Sequence, residues 1–124
     1  MASNIKPVVD FFSNEAKEIL RGLEAEDKPQ WGMMTPQHMV EHLIVIFKLS
    51  IGRIKVPIVT KEEDWPKTKA YLMADSPMRR NVPAPNGKHE LQGLRLPDLA
   101  AAVTKLEAEM DNFLNYVQEN PDQL

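Results

Sequence analysis

Residues 31–49 read WGMMTPQHMVEHLIVIFKL, from Trp31 to Leu49, and no other stretch of the chain constrains the fold as tightly. Thr35 followed by Pro36 is the pattern of a helix N-cap with proline at the first helical position. The missing proline N–H costs nothing there, because the donors of the first turn have no partner inside the helix. No breaker follows before Ser50, and Gly52 stands where a helix would end. The sequence therefore predicts a helix over Pro36–Ser50. Wound at about 100° per residue, it places Gln37, Glu41 and Lys48 on one narrow polar stripe. Met39, Val40, Leu43, Ile44, Ile46, Phe47 and Leu49 cover nearly everything else. A helix this apolar is expected at the centre of a bundle, touching neighbours on more than one side.

The same helix carries the candidate chemistry. His38 lies at the border of the polar stripe, and His42 is turned towards the apolar side, near Val45, Ile46 and Leu49. Residues four apart stack on one helix face, so both imidazoles can reach a single divalent ion and would supply two of its protein ligands. The plainer reading is an incidental pair, with the inward histidine simply hydrogen-bonded. His38-Met39-Val40-Glu41-His42 also spells H-x-x-E-H, the inverted zinc-peptidase pattern, in which the glutamate activates water. Glu119 lies downstream at a distance suited to the third ligand of such a site. Those peptidases resemble α+β domains several times longer than this chain, and Glu41 shares the solvent stripe with Gln37 and Lys48. The pattern sits in the wrong context.

A different resemblance covers more of the chain. Trp31-Gly32-Met33-Met34-Thr35-Pro36-Gln37-His38-Met39-Val40-Glu41-His42-Leu43 resembles the W-G-x-M-T-x-x-Q-M-x-x-H-L signature of DinB-like (DinB/YfiT) proteins. The similarity continues through Asp10-Phe11-Phe12, Lys55-Val56-Pro57 and Ser76-Pro77-Met78. It implies an all-α, up-down-down-up four-helix bundle with a site for a divalent metal (nickel, zinc or iron) bound by three histidines. The signature histidine falls on His42, and His38 occupies a position that is usually glutamine. Relatives close the site with a final helix carrying an H-x-x-H-H-x-x-Q-F type motif, which does not occur before Leu124. His89 is the remaining histidine and falls in a predicted loop. The resemblance thus implies a truncated bundle, three main helices plus a short one, whose metal site is lost or is completed by another chain or by a missing segment.

Working outward, Phe12, Ala16, Ile19, Leu20 and Leu23 recur at spacings of three and four and predict a first helix from Val8 or Ser13 to Leu23, with Ser13 a candidate cap. Gly22, the charged run Glu24–Lys28 and Pro29 release the chain before Trp31, read as a ring that pins the loop. After Gly52, Thr60 and Glu63 form a capping-box pattern ahead of a short helix ending near Ala74, with a kink or restart at Trp65-Pro66. Asp75–Leu94, with Pro77, Pro83, Pro85, Gly87 and Gly93, reads as one long irregular arm. Within it Arg79-Arg80 is a candidate binder of an anionic small molecule, a phosphate or carboxylate, against the plainer reading of a solvated pair. Pro97, Asp98 and Pro121 bracket a last helix whose Leu99, Val103, Leu106, Met110, Phe113 and Val117 form a seam suited to antiparallel bundle packing.

Composition narrows the function classes. At 124 residues the chain is expected to form a single domain, residues 1–124, around one core. Its net charge of −3 is spread through the sequence and offers no footprint for nucleic acid. With no cysteine there is neither disulfide nor thiol chemistry, in keeping with a cytoplasmic setting. Residues 1–12, MASNIKPVVDFF, lack the features of a signal peptide, and no apolar run approaches the roughly 18 residues a membrane span needs. Three substantial amphipathic helices and a short one leave Pro36–Ser50 under-covered, so self-association as a symmetric homodimer is expected. Two functions follow as alternatives: a dimerising or partner-binding bundle, or a metal-dependent hydrolase or transferase of a small molecule with His42 as a ligand.

Overall fold

The computed structural model describes residues 5–30, 32–55, 60–77 and 93–120. It is all-helical, with no strand among the described residues. The chain divides into two compact units, one formed by Met1–Lys55 with Leu91–Leu124 and the other by Val56–Glu90.

The first unit holds three helices. α1 is one continuous winding in three segments: α-helical Lys6–Asp10, a π-helical turn Phe11–Glu15, and α-helical Ala16–Arg21. It starts earlier than the sequence suggested, because Pro7 in the first turn is itself a good helix start. Ser13, the expected cap, lies inside the π turn instead. That turn holds two adjacent phenylalanines. Phe12 packs edge-on against Phe47 and Phe113, at 5.2 and 5.9 Å between ring centroids, and Phe11 meets Phe12 edge-on as well, at 5.1 Å. Ala16 and Leu20 are buried, whereas Ile19, expected in the core, stands 59 % exposed on the flank of the same face.

α2 spans Pro36–Ser50, as the sequence predicts. Thr35 caps it, its Oγ1 accepting the backbone N–H of His38 at 3.2 Å. The other end closes on Gly52, whose φ of +77° suits glycine, with Gly52 N–H bonded to the Leu49 carbonyl and Arg53 N–H to that of Lys48. This is the Schellman arrangement that satisfies the last carbonyls of a helix. The final helix, Leu99–Glu119, here named α4, is capped by Asp98, whose Oδ1 accepts the Ala101 N–H at 2.8 Å.

The core is shared by all three: Ala16 and Leu20 of α1, Val40, Ile44 and Phe47 of α2, and Ala102, Leu106 and Met110 of α4. Pairs of contacts fix the helix directions. Phe12 meets Phe113, Lys17 meets Asp111 at 2.8 Å and Arg21 meets Glu107 at 3.4 Å, so α1 and α4 are antiparallel. Gln37 and Glu41 bond to residues 95–96 just before α4, while Phe47 further along α2 meets Phe113 at 5.2 Å, so α2 and α4 are parallel. α1 runs up and the other two run down. Parallel neighbours cannot be joined by a tight turn, and residues 51–98 supply the long connection.

That connection carries the second unit. Its described part holds a 3₁₀ turn, Glu62–Asp64, and a short helix α3, Trp65–Met73, with Pro66 in the first turn. The Thr60–Glu63 capping box does not form: the turn is preceded by Lys61 with no side-chain cap, and the Thr60 carbonyl accepts the Trp65 indole N–H at 3.2 Å. The helix restarts at Trp65, where the sequence placed a kink.

Candidate functional site

α2 presents three longitudinal strips, and their order around the helix decides what chemistry is available. The inner strip, Val40, Ile44 and Phe47, is buried against α1 and α4. The polar strip was expected to face solvent, but Gln37 and Glu41 are half-buried and engaged. Glu41 Oε1 accepts the Arg95 N–H at 2.7 Å and Oε2 accepts the Leu96 N–H at 3.4 Å. The Gln37 amide donates both to Glu41 Oε2 at 3.0 Å and to the Leu96 carbonyl at 2.9 Å. Burial pushes the Glu41 carboxyl up. The Arg95 N–H, the Gln37 amide, the Leu96 N–H and the field of His38 together outweigh that and hold it below its ordinary value. A carboxylate that clasps two backbone N–H groups is a structural anchor, which answers the H-x-x-E-H pattern: Glu41 is spent on the chain entering α4.

The third strip is the outer one. His42 shares it with Val45, Ile46 and Leu49, as its spacing requires, but the strip faces solvent. His42 is exposed, Ile46 is 40 % exposed and Leu49 is 36 % exposed. The inward orientation expected for His42 is therefore corrected. Within the described part of the first unit, α1 and α4 both pack against the inner strip of α2. His38 stands half-buried beside this strip, with its Nδ1 at 2.6 Å from Thr35 Oγ1.

The three-histidine centre that the DinB-like resemblance implies is not assembled among the described residues. Among the described residues no group of three or more His, Cys, Asp or Glu side chains is gathered where it could hold an ion. His38 and His42 are the two imidazoles α2 brings to one face, and no inward third donor faces them there. Arg79, Arg80 and His89, most of the arm that contains them, and Trp31 lie outside the described residues.

Sequence reasoning passed over the most buried charge. Glu109 is 1 % exposed in the middle of α4, held by Arg53 Nη1 at 2.6 Å and by Lys105 Nζ at 3.6 Å. The signal was present in its spacing, seven residues after the fully buried Ala102 and three after the fully buried Leu106. One further feature is an open apolar groove of about 410 Å³ where α1 meets α4, lined by Leu20, Leu23, Leu99, Ala100 and Val103, with Arg21 at its rim. Arg21 is turned to Glu107.

No family model, curated protein or solved structure matches this chain. No described helix is long and apolar enough to cross a membrane.

Proposed function

We propose that this chain is a self-associating helical bundle of the DinB-like type, in which the outer strip of α2 pairs with the same strip of a second copy. The observation that carries this is the strip's composition. His38, His42, Val45, Ile46 and Leu49 include no aspartate, glutamate, lysine or arginine, in a chain of which 27 % is charged. A two-fold contact sets each surface against its own copy, so any net charge there would repel itself. An uncharged apolar strip meets its copy without that cost, and Ile46 and Leu49 offer apolar surface to it at 40 % and 36 % exposure.

The DinB-like reading of the architecture draws support from the helix directions. One helix up and two down, with a long connection between the parallel pair, is the order of the first three helices of an up-down-down-up bundle. A metal-dependent hydrolase or transferase of a small molecule with His42 as a ligand is the alternative reading. The chain acts by presenting a surface.

Sedimentation equilibrium of the full chain tests it. The expected result is a dimer at micromolar concentrations that Ile46→Glu converts to a folded monomer, since the new carboxylates would face each other across the two-fold axis. A wild-type chain that remains monomeric throughout, with Ile46→Glu indistinguishable from it, overturns the proposal.

A further inference from the structure

We infer that the three-helix unit is locked at the two points where the chain leaves it and returns, so that Val56–Glu90 is an insert whose helix α3 melts and reforms while the bundle holds.

The first lock is at the exit. Arg53 stands between the end of α2 at Ser50 and the start of the second unit at Val56. Its backbone N–H is bonded to the Lys48 carbonyl at 3.0 Å, and its Nη1 donates to Glu109 Oε2 on α4 at 2.6 Å. Glu109 is 1 % exposed, with Lys105 at 3.6 Å as its other cation. Letting Arg53 go would leave a buried carboxylate on that longer contact, which is costly. The exit is therefore held where it is.

The second lock is at the return. The first unit resumes at Leu91, and Glu41 then takes the Arg95 N–H at 2.7 Å and the Leu96 N–H at 3.4 Å. The Gln37 amide donates to the Leu96 carbonyl at 2.9 Å. Every residue of both locks belongs to the first unit, so neither needs anything from Val56–Glu90. The core they enclose is drawn from α1, α2 and α4.

α3 is the opposite case. None of residues 60–77 is buried, and Asp64 is the one half-buried among them. Leu72 and Met73 stand 64 % and 78 % exposed. Trp65 and Thr68 donate to the carbonyls of Thr60 and Asp64, inside the same segment. At nine residues the helix is shorter than the roughly 12–15 at which an isolated helix is even marginal in water. Segments with few buried apolar contacts open at low free energy and as separate units. The molecule is thus built in two tiers of stability, and the locks keep the lower from unravelling the upper.

Native-state hydrogen exchange of the full chain, read by NMR, tests this. The α3 amides should exchange within about tenfold of an unstructured peptide, and those of Val40, Ile44 and Leu106 at least about a thousandfold more slowly. Ala70→Pro, which places proline in the α3 interior, should abolish that helix and leave bundle protection unchanged within about twofold. Arg53→Ala combined with Glu41→Gln should do the reverse, lowering bundle protection on the order of a hundredfold and leaving α3 exchange as it was. Amides of α3 that open together with the bundle overturn the inference. So does an Ala70→Pro chain that fails to fold or loses bundle protection tenfold or more, since the bundle would then depend on α3. A double variant with undiminished bundle protection would remove the locks.

Discussion

The polar and outer strips of α2 exchange the roles their compositions would assign. Gln37 and Glu41 are half-buried and fully engaged with residues 95–96, while Ile46 and Leu49 stand in water. Hydropathy alone orders the two strips the other way. What decides the matter is where the neighbours attach. The returning chain must dock somewhere before α4, its backbone N–H groups need acceptors, and a carboxylate beside an amide supplies them more cheaply than any apolar surface. In the described part of the first unit α1 and α4 both pack on the inner strip, and Ile46 and Leu49 of the outer strip are left partly exposed. Burial follows the partner available.

The sharpest way to break this comparison is at the inner strip. Phe47 is 8 % exposed and its ring joins Phe12 and Phe113, both at 5.2 Å. Phe47→Ala should cost about 3–5 kcal/mol in urea unfolding, because the cavity lies where three helices meet and none can close it alone. A loss under about 1 kcal/mol would mean that the inner strip is no better packed than the outer one.

The next test sits on the buried carboxylate. Glu109 is neutralised by Arg53, which follows the end of α2, and by Lys105, one turn earlier on α4. Arg53→Ala leaves that carboxylate with the weaker, longer contact and should destabilise the fold by about 2 kcal/mol, less than for a pair buried on both sides because Arg53 is itself 47 % exposed. Glu109→Met should be close to neutral, since an apolar side chain of similar volume needs no partner. If Glu109→Met proves the more damaging of the two, the carboxylate has a role that its contacts do not explain.

Glu41→Gln probes the polar strip directly. Exchanging an ionised acceptor of two backbone N–H groups for a neutral amide should cost about 1 kcal/mol at neutral pH. Because the folded carboxyl is held below its ordinary value, its contribution is fully present above the unfolded carboxyl's pKa, near 4.3, and disappears as pH falls through the lower folded value. Wild type and variant should therefore draw together in stability as pH falls below about 4.3, measured by chemical unfolding across a pH series. A difference that stays constant into acid would remove the ionised clasp from the account.

Much of this was legible in the sequence, for identifiable reasons. Thr35-Pro36 and Gly52 fixed both ends of α2 because capping chemistry is local and needs no knowledge of the fold. The α4 seam through Leu106, Met110 and Val117 was legible because helical periodicity is also local. The failures concern what lies beyond one helix. His42 was assigned to the inside because its neighbours on the wheel are apolar, yet a wheel does not say which side the other helices occupy. Glu109 was passed over because its paired cation, Arg53, lies 56 residues away in sequence. Ser13 failed as a cap because Pro7 offered an earlier start and a π turn absorbed the Phe11-Phe12 pair.

The smallest expected effect is the most informative about the outer strip. Ile46→Ser removes a large apolar side chain, and in a buried position that would cost several kcal/mol. At 40 % exposure, with no core neighbour gathered around it, the monomer should lose no more than about 0.5 kcal/mol. The measurement is urea unfolding at two protein concentrations, one above and one below the self-association range. Below it, wild type and Ile46→Ser should superimpose. Above it, the wild type should gain stability with concentration, as any protein does when its folded form binds a partner, and the variant should gain less. Curves that superimpose at both concentrations would leave the outer strip without a partner copy. Curves that differ equally at both would mean that Ile46 stabilises its own chain, and the contrast between the two strips of α2 would fall.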